Sequence, residues 1–316
     1  MISIITPTHR PGPLLDITLK SVLEQTYSDW EWVVLDNSKD FYFESYLREF
    51  LDKNQQYKQI SHKIKVFKRY YDELNIGRLK NECVRLTSCQ DNEYVLLLDH
   101  DDFLNPDTLY EIHKTSLRYP SSDYITGDCI KLDYDVYKSL FYIRDMSDYL
   151  NYTKYTRFIS GELSIHIGDF NLCFPYIENY KSRYYMACEF EPQVSDKRIE
   201  YYVLNTHPRV IKKQILMREP YNFYEGHSIS EDSLQIFFLT NCLKGCYIEK
   251  DLYYNVCYFG GVETNSSFMP ISDECKYDYD KLVYDIKLME QHFLNIYPNL
   301  NLFDSFLNKH ELSDVQ

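Results

Sequence analysis

The sequence predicts an α/β fold built on one mostly parallel sheet flanked by helices. Three observations carry that expectation. Short apolar runs of strand length alternate with longer segments whose apolar residues recur at helical spacing. Several of the runs are apolar at nearly every position, as strands buried on both faces of a parallel sheet must be. Two of them stop abruptly at an acid, Asp36 and Asp99. Alternation of this kind winds a parallel sheet with right-handed crossovers.

Taken in order, residues 2–6 are an apolar strand, and Pro7, Thr8, His9, Arg10, Pro11, Gly12 and Pro13 form the turn that leaves it. Leu14, Leu15, Leu19, Val22 and Leu23 then recur at helical spacing, giving a helix that ends near Gln25. Residues 32–35 form the next strand, closing on Asp36. A polar helix covers 42–53, and 63–68 is a strand. Asn75 opens a helix over 78–86, which leads into the central strand, 94–98.

Asp99, His100, Asp101 and Asp102 follow that strand at once. Asn105 and Pro106 then provide the cap and first position of a helix over 106–117, and 123–126 is a further strand. In open α/β sheets ligands bind at the carboxyl ends of strands, so Thr6, Asp36 and Asp99 should share one crevice. A helix cap needs one aspartate, and three carboxylates this close repel one another. A hard divalent cation such as Mg²⁺ or Mn²⁺ is the usual remedy, held by one or two carboxylates together with phosphate oxygens.

Residues 127–202 show no clear period. Beyond them, 201–205 reads as a strand, 209–216 as a short helix, 233–243 as an amphipathic helix and 248–258 as an edge strand running into Gly260 and Gly261. The tail, 277–306, reads as two helices broken at Pro298.

Composition narrows the partners. A net charge of −14 over 316 residues argues against nucleic acid or an anionic membrane surface, since both select a basic face. An anionic substrate therefore needs a local cation. Nine cysteines without a Cys-x-x-Cys pair suit buried thiols in a reducing compartment. Cys242 and Cys246 lie one helical turn apart, but no paired Cys or His motif makes a metal site of them. No basic, apolar leader and no spanning segment precede the first strand, so the expected location is the cytoplasm, with no integral membrane segment.

Nine glycines are present, against about twenty expected at this length, and neither Gly-x-Gly-x-x-Gly nor Gly-x-x-x-x-Gly-Lys-Ser/Thr occurs. A bound nucleotide must then have its phosphates neutralised by a metal. The 32 tyrosines also suit a sugar-binding cleft.

Several segments, in order, resemble the family 2 glycosyltransferases, inverting enzymes with the Rossmann-like GT-A nucleotide-sugar fold. They are the run from Ser3 to Thr8, the runs from Ser21 to Tyr27 and from Trp30 to Ser38, the run from Asn75 to Asn81, and Leu98-Asp99-His100-Asp101-Asp102. Weaker pieces are the run from Thr206 to Lys213, Ser230-Glu231-Asp232, and the run from Gly260 to Asn265.

The resemblance implies a GT-A domain over 1–270, with a nucleotide-binding half (1–126), an acceptor-side half (127–270) and a helical C-terminal extension (271–316). Thr6 and Pro7 would line the nucleotide pocket, and Asp36 would accept a hydrogen bond from the base. Thr8, Arg10, Gly77, Lys80, Asp99 and His100 would join them in holding the donor. Asp99 and Asp101 would form the Asp-x-Asp motif, Asp99 towards the ribose and metal and Asp101 on the metal itself. Asp232 would be the catalytic base, with Glu231 beside it. Lys80 stands where the family usually has Arg.

The activity so implied is metal-dependent transfer of a sugar from a nucleotide donor, UDP first among the candidates, to a glycan or other hydroxyl acceptor. The leaving diphosphate needs charge neutralisation, which a Lewis-acidic cation supplies. The acceptor hydroxyl needs a base across the sugar. His207 and His227 are candidates for a further metal or diphosphate contact, and Gly260-Gly261 for a loop closing over the donor. A different class, a sugar-nucleotide-binding protein that has lost catalysis, would keep the crevice without turnover. A nucleotidyltransferase would need a glycine-rich basic loop that 7–13 lacks. An oligomer is compatible with the acidic surface and the long tail.

Overall fold

The computed structural model describes residues 1–12, 14–71, 75–133, 161–167, 170–176, 189–190, 207–219, 221–223 and 243–257, together with Glu225, Gln235 and Leu239. The expected strand at 201–205, the greater part of the helix at 233–243, Gly260-Gly261 and the helical tail lie outside them.

The strands are β1 (Ile2–Thr8), β2 (Trp30–Asp36), β3 (Ile64–Lys68), β4 (Tyr94–Leu97), β5 (Phe103–Leu104), β6 (Tyr124–Asp133), β7 (Gly161–Ile167), β8 (Phe170–Tyr176), β9 (Glu189–Phe190), β10 (Val210–Lys212) and β11 (Gly245–Cys257). Four helices separate the early strands: α1 (Leu15–Leu23), α2 (Tyr42–Lys53), α3 (Ile76–Leu86) and α4 (Thr108–Arg118).

Among the described residues the strands form one 11-stranded sheet, whose main path runs β3-β2-β1-β4-β10-β6-β11-β5. β1, β2, β3 and β4 pair in parallel, and β11 is parallel to β6. β10 lies antiparallel between β4 and β6. The mostly parallel α/β architecture expected from the sequence is the one observed.

Period-two alternation along each central strand explains why both faces are covered. Ile4, Trp32, Val34 and Leu96 enter one apolar cluster with Leu15, Leu19 and Val22 of α1, Phe43, Leu47 and Phe50 of α2, and Leu109 and Ile112 of α4. Their neighbours Ile5, Val33, Leu35, Val95 and Leu97 enter a second cluster with Leu79, Cys83 and Val84 of α3. The connection from β1 to β2 thus runs over one face and that from β3 to β4 over the other. β1 and β4 are neighbours, so the reversal opens a crevice at their carboxyl ends.

Cys83, Cys89, Cys129 and Cys246 are buried and unbridged, as expected. No helix among the described residues is long and apolar enough to cross a membrane.

Three elements differ from expectation. The helix after the acidic turn starts at Thr108, because Asn105 and Pro106 are held in the turn. Asn105 Oδ1 accepts from the Asp107 N–H at 3.0 Å, and Gln25, just past the end of α1, takes the Leu109 N–H at 3.0 Å. Residues 209–216 are a strand followed by one helical turn, Lys213–Leu216. Val210 and Ile211 are buried between two strands, a slot that outweighs local helical preference. β11 is an inner strand, bonded to β6 on one side and to β5 and β9 on the other. The unassigned stretch 127–202 contains β7, β8 and β9, and β7 and β8 pair antiparallel.

Candidate active site

The crevice is assembled where β1, β4 and β10 meet. The chain leaves β4 through Leu98, whose N–H donates to Ile5 O at 3.0 Å, and the Asp102 N–H closes a turn on Asp99 O at 3.2 Å. Helix α1 holds this turn from beneath. The Thr18 hydroxyl lies 2.7 Å from Asp102 O and 3.0 Å from His100 O. Ser21 Oγ accepts from the Leu104 N–H at 3.2 Å, and Gln25 Nε2 donates to Asn105 O at 2.7 Å. The polar positions of the run from Ser21 to Tyr27 therefore shape the acidic turn from another part of the chain.

Asp99, Asp102 and His207 each offer one ligand atom, all within 4.8 Å of one another. His207 enters from the segment leading into β10, with Nε2 3.8 Å from Asp99 Oδ2. Its side chain is buried, while Asp99 keeps 34% of its side-chain surface exposed. Asp101, two residues after Asp99, is half-buried and outside that cluster.

Two buried cations stand close by, Lys80 on α3 and Arg209 at the start of β10. Both charges lie 5.6 Å from the ring centre of Phe223. Arg209 Nη1 donates to Gln235 Oε1 at 3.3 Å. Burial raises the Asp99 pKa, but the charges of Lys80, His207, Arg209 and His100 more than offset it and hold the carboxyl below the usual carboxylate range. A divalent cation would add the positive charge that a diphosphate in this crevice requires.

The remaining expected residues sit around this centre. Thr6 is fully buried, and its hydroxyl is used inside the sheet, donating to Leu98 O at 2.6 Å and accepting from Trp32 Nε1 at 2.8 Å. Pro7 and Thr8 are buried at the end of β1, and Thr8 Oγ1 has no hydrogen-bond partner among the described residues. Asp36 is buried, accepting from the Ser38 N–H at 2.9 Å and the Phe43 N–H at 3.2 Å, so it orders the turn into α2. Arg10 adopts a positive φ of 46° and pairs with Asp40 at 3.2 Å on the surface. Gly77 is buried in the first turn of α3, and His100 is half-buried. Glu231, Asp232 and His227 lie outside the described residues.

Sequence reasoning missed Arg209 and Tyr253. Tyr253 of β11 is fully buried, and its hydroxyl donates to Asp102 Oδ2 at 2.8 Å. Burial and the charges of Asp102 and Asp99 push that hydroxyl far above its ordinary pKa, so it remains a donor. No local pattern marks it, because its neighbours in the sequence are also tyrosine and leucine.

The model of the family described as Glycosyl transferase family 2 matches residues 3–174, more than half of the chain. The chain belongs to glycosyl transferase family 2. WbnJ, an O-antigen biosynthesis glycosyltransferase of Escherichia coli, is 25% identical over 115 residues, which span 32% of this chain and 43% of WbnJ. An uncharacterised protein of Sinorhizobium fredii, y4gI, is 23% identical over 210 residues, 64% of this chain and 21% of that protein. The family 2 chain thus spans less than half the length of either relative.

Among solved structures, S. aureus TarS 1-349 in complex with UDP-GlcNAc superposes with a TM-score of 0.57 at 16% identity, covering 98% of this chain and 72% of that one. A second TarS 1-349 structure gives 0.51 at 17% identity, covering 81% and 60%. These likenesses establish the GT-A fold.

Proposed function

We propose that this family 2 member is an inverting, metal-dependent glycosyltransferase that moves a sugar from a UDP-sugar to a hydroxyl of a glycan acceptor. The observation that carries the reading is the convergence of Asp99, Asp102 and His207 at the ends of β4 and β10, beside two buried cations. Two carboxylate oxygens and an imidazole nitrogen are a donor set that Mn²⁺ accepts, with Mg²⁺ the alternative. In this reading Asp99 of the Asp-x-Asp motif holds the cation with Asp102 and His207, and Asp101 adds its charge from the same turn. When bound, it supplies charge neutralisation at the donor diphosphate. The UDP-GlcNAc complex of TarS supports UDP as the nucleotide, and the kinship with WbnJ supports a glycan acceptor.

The chain's own residues do the rest. Thr8, whose buried hydroxyl has no partner among the described residues, Pro7 and the turn ordered by Asp36 receive the nucleotide, with Arg10, Gly77 and His100 around it. Lys80 and Arg209 stabilise the negative charge that builds on the diphosphate. The acceptor oxygen attacks the anomeric carbon on the face opposite the diphosphate, and its proton passes to the Asp232 carboxylate, with Glu231 beside it. The bond from the anomeric carbon to the phosphate oxygen breaks, and its electron pair leaves with UDP. One displacement inverts the anomeric centre, so no covalent intermediate forms. A base so placed contributes about 10²–10⁴-fold.

The test has two parts. UDP should raise the melting temperature only when Mn²⁺ is present, and Asp232→Asn should lower kcat at least about 100-fold while keeping that shift. Full turnover by Asp232→Asn would remove Asp232 from the reaction. A UDP shift indifferent to metal, in wild type and in Asp99→Asn alike, would remove the cation.

A further inference from the structure

β11 is irregular where it passes the crevice. Ile248 pairs with Gly127 and Asp251 with the next residue, Asp128; Tyr253 then pairs with Cys129. Extra residues on one strand break the alternation of faces and re-aim the side chains that follow. As a result the consecutive residues Leu252 and Tyr253 enter the same apolar cluster, where a regular strand would turn them to opposite faces. Gly127 permits the bulge, since a Cβ there would stand 2.5 Å from Leu252 Cδ1 and 2.9 Å from Ile248 O. The ring of Tyr254 stacks on Phe103 at 5.0 Å, while Tyr253 is delivered to the acidic turn.

There Tyr253 touches every member of the cluster. Its hydroxyl accepts from the Asp99 N–H at 3.3 Å and donates to Asp102 Oδ2 at 2.8 Å. Its ring lies against the His207 imidazole, with centroids 4.7 Å apart and planes 12° apart. We propose that Tyr253 is the positioning residue of the cation site: its hydroxyl fixes one oxygen of Asp102 and so the orientation of that carboxylate, and its ring face sets the plane of His207. The proposal rests on the reading of a divalent cation in this crevice. Outer-sphere partners of this kind are worth about 10–100-fold in metal affinity. A tyrosine that only filled the core would be replaced by phenylalanine without effect on the metal.

Tyr253→Phe keeps the ring and the stack and removes one oxygen. Mn²⁺ binding to the full chain without nucleotide, read from the loss of the free-ion EPR signal, should weaken about 10–100-fold in this variant, with the far-UV circular dichroism of the wild type retained. Asp102→Asn should lose at least as much affinity, and the double variant should bind no more weakly than Asp102→Asn alone. Mn²⁺ affinity within twofold of wild type in Tyr253→Phe, or losses that simply add in the double variant, would overturn the positioning role while leaving the cation in place. Absence of Mn²⁺ binding by the wild-type chain would overturn the cation reading and this role together. Asp102→Glu provides a check that does not depend on Tyr253→Phe folding: it keeps the charge but moves the carboxylate off the hydroxyl, and full affinity there would also overturn the proposal.

Discussion

Replacement of Glu31 by glutamine should destabilise the fold at neutral pH and leave the crevice untouched. Glu31 lies in β2 opposite Ser3, near the amino ends of the strands. Its side chain is 4% exposed and accepts four hydrogen bonds. Oε1 takes the Ser3 hydroxyl and the Ser88 N–H, each at 2.6 Å, while Oε2 takes the Ser88 hydroxyl at 2.6 Å and the Lys65 ammonium. Serine hydroxyls can rotate to accept, but the Ser88 amide and the Lys65 ammonium can only donate. Each oxygen faces one of these obligate donors, so an amide NH₂ meets a donor whichever way it is turned.

Losing one such bond and burying the clash costs about 2–3 kcal/mol, with the share of half-exposed Lys65 discounted for solvation. That corresponds to roughly 4–12 °C in melting temperature for a chain of this size. Burial raises the Glu31 pKa, but the bonds from Lys65, Ser3 and Ser88 outweigh it and hold the pKa below the ordinary value. Its contribution is therefore present above the unfolded pKa of about 4.3 and fades as the pH falls through the folded value. Urea unfolding followed by tryptophan fluorescence is a direct assay, since the chain's two tryptophans, Trp30 and Trp32, are both in β2. Wild type and variant should differ at pH 7 and converge in acid. A gap that persists unchanged to pH 3, or one under about 0.5 kcal/mol at pH 7, would refute the reasoning.

Gly127→Ala should cost about 1–3 kcal/mol in urea unfolding, because the new methyl meets the Ile248 carbonyl as well as the softer Leu252 side chain. Thr6→Val leaves the Trp32 N–H and the Leu98 carbonyl without the hydroxyl that joins them. A loss of about 2–4 kcal/mol is expected, with a shift in Trp32 emission. Asn75→Ala removes the acceptor for the Arg78 N–H at the start of α3; thermal unfolding should show a loss of about 1 kcal/mol.

What was legible in the sequence follows from what is local. Phe43, Leu47 and Phe50 face one way at helical spacing, and α2 has the bounds that pattern gives. β4 ends in acids because its carboxyl end opens on the crevice, so Asp99 was visible as the end of an apolar run. What was not legible depends on neighbours distant in sequence. Nothing in Arg209-Val210-Ile211-Lys212 announces a slot between β4 and β6. Pro106 suits a first helical position, yet Gln25 and Thr26, 80 residues earlier, bind 105–109 and delay the helix. The sequence offers His207 and His227 alike as metal or diphosphate contacts; the distance from His207 to Asp99 gives the first of them a place. Nothing local singles out Tyr253 within the strand at 248–258, because a bulge leaves no periodic trace.

The position of β10 also bears on the order in which the protein is made. When the first 126 residues have left the ribosome, β1 to β4 can pair, but the outer edge of β4 has no strand beside it. β6 cannot take that place, because β10 stands between them and is made more than 80 residues later than Ile125. The nascent chain must therefore carry an open, apolar strand edge through the synthesis of its whole middle section. Such an edge invites pairing with other chains. The same interleaving makes a cut near residue 126 a poor place to separate a nucleotide-binding half, since that fragment would lack the strand that closes its sheet and brings Arg209 and His207 to Asp99.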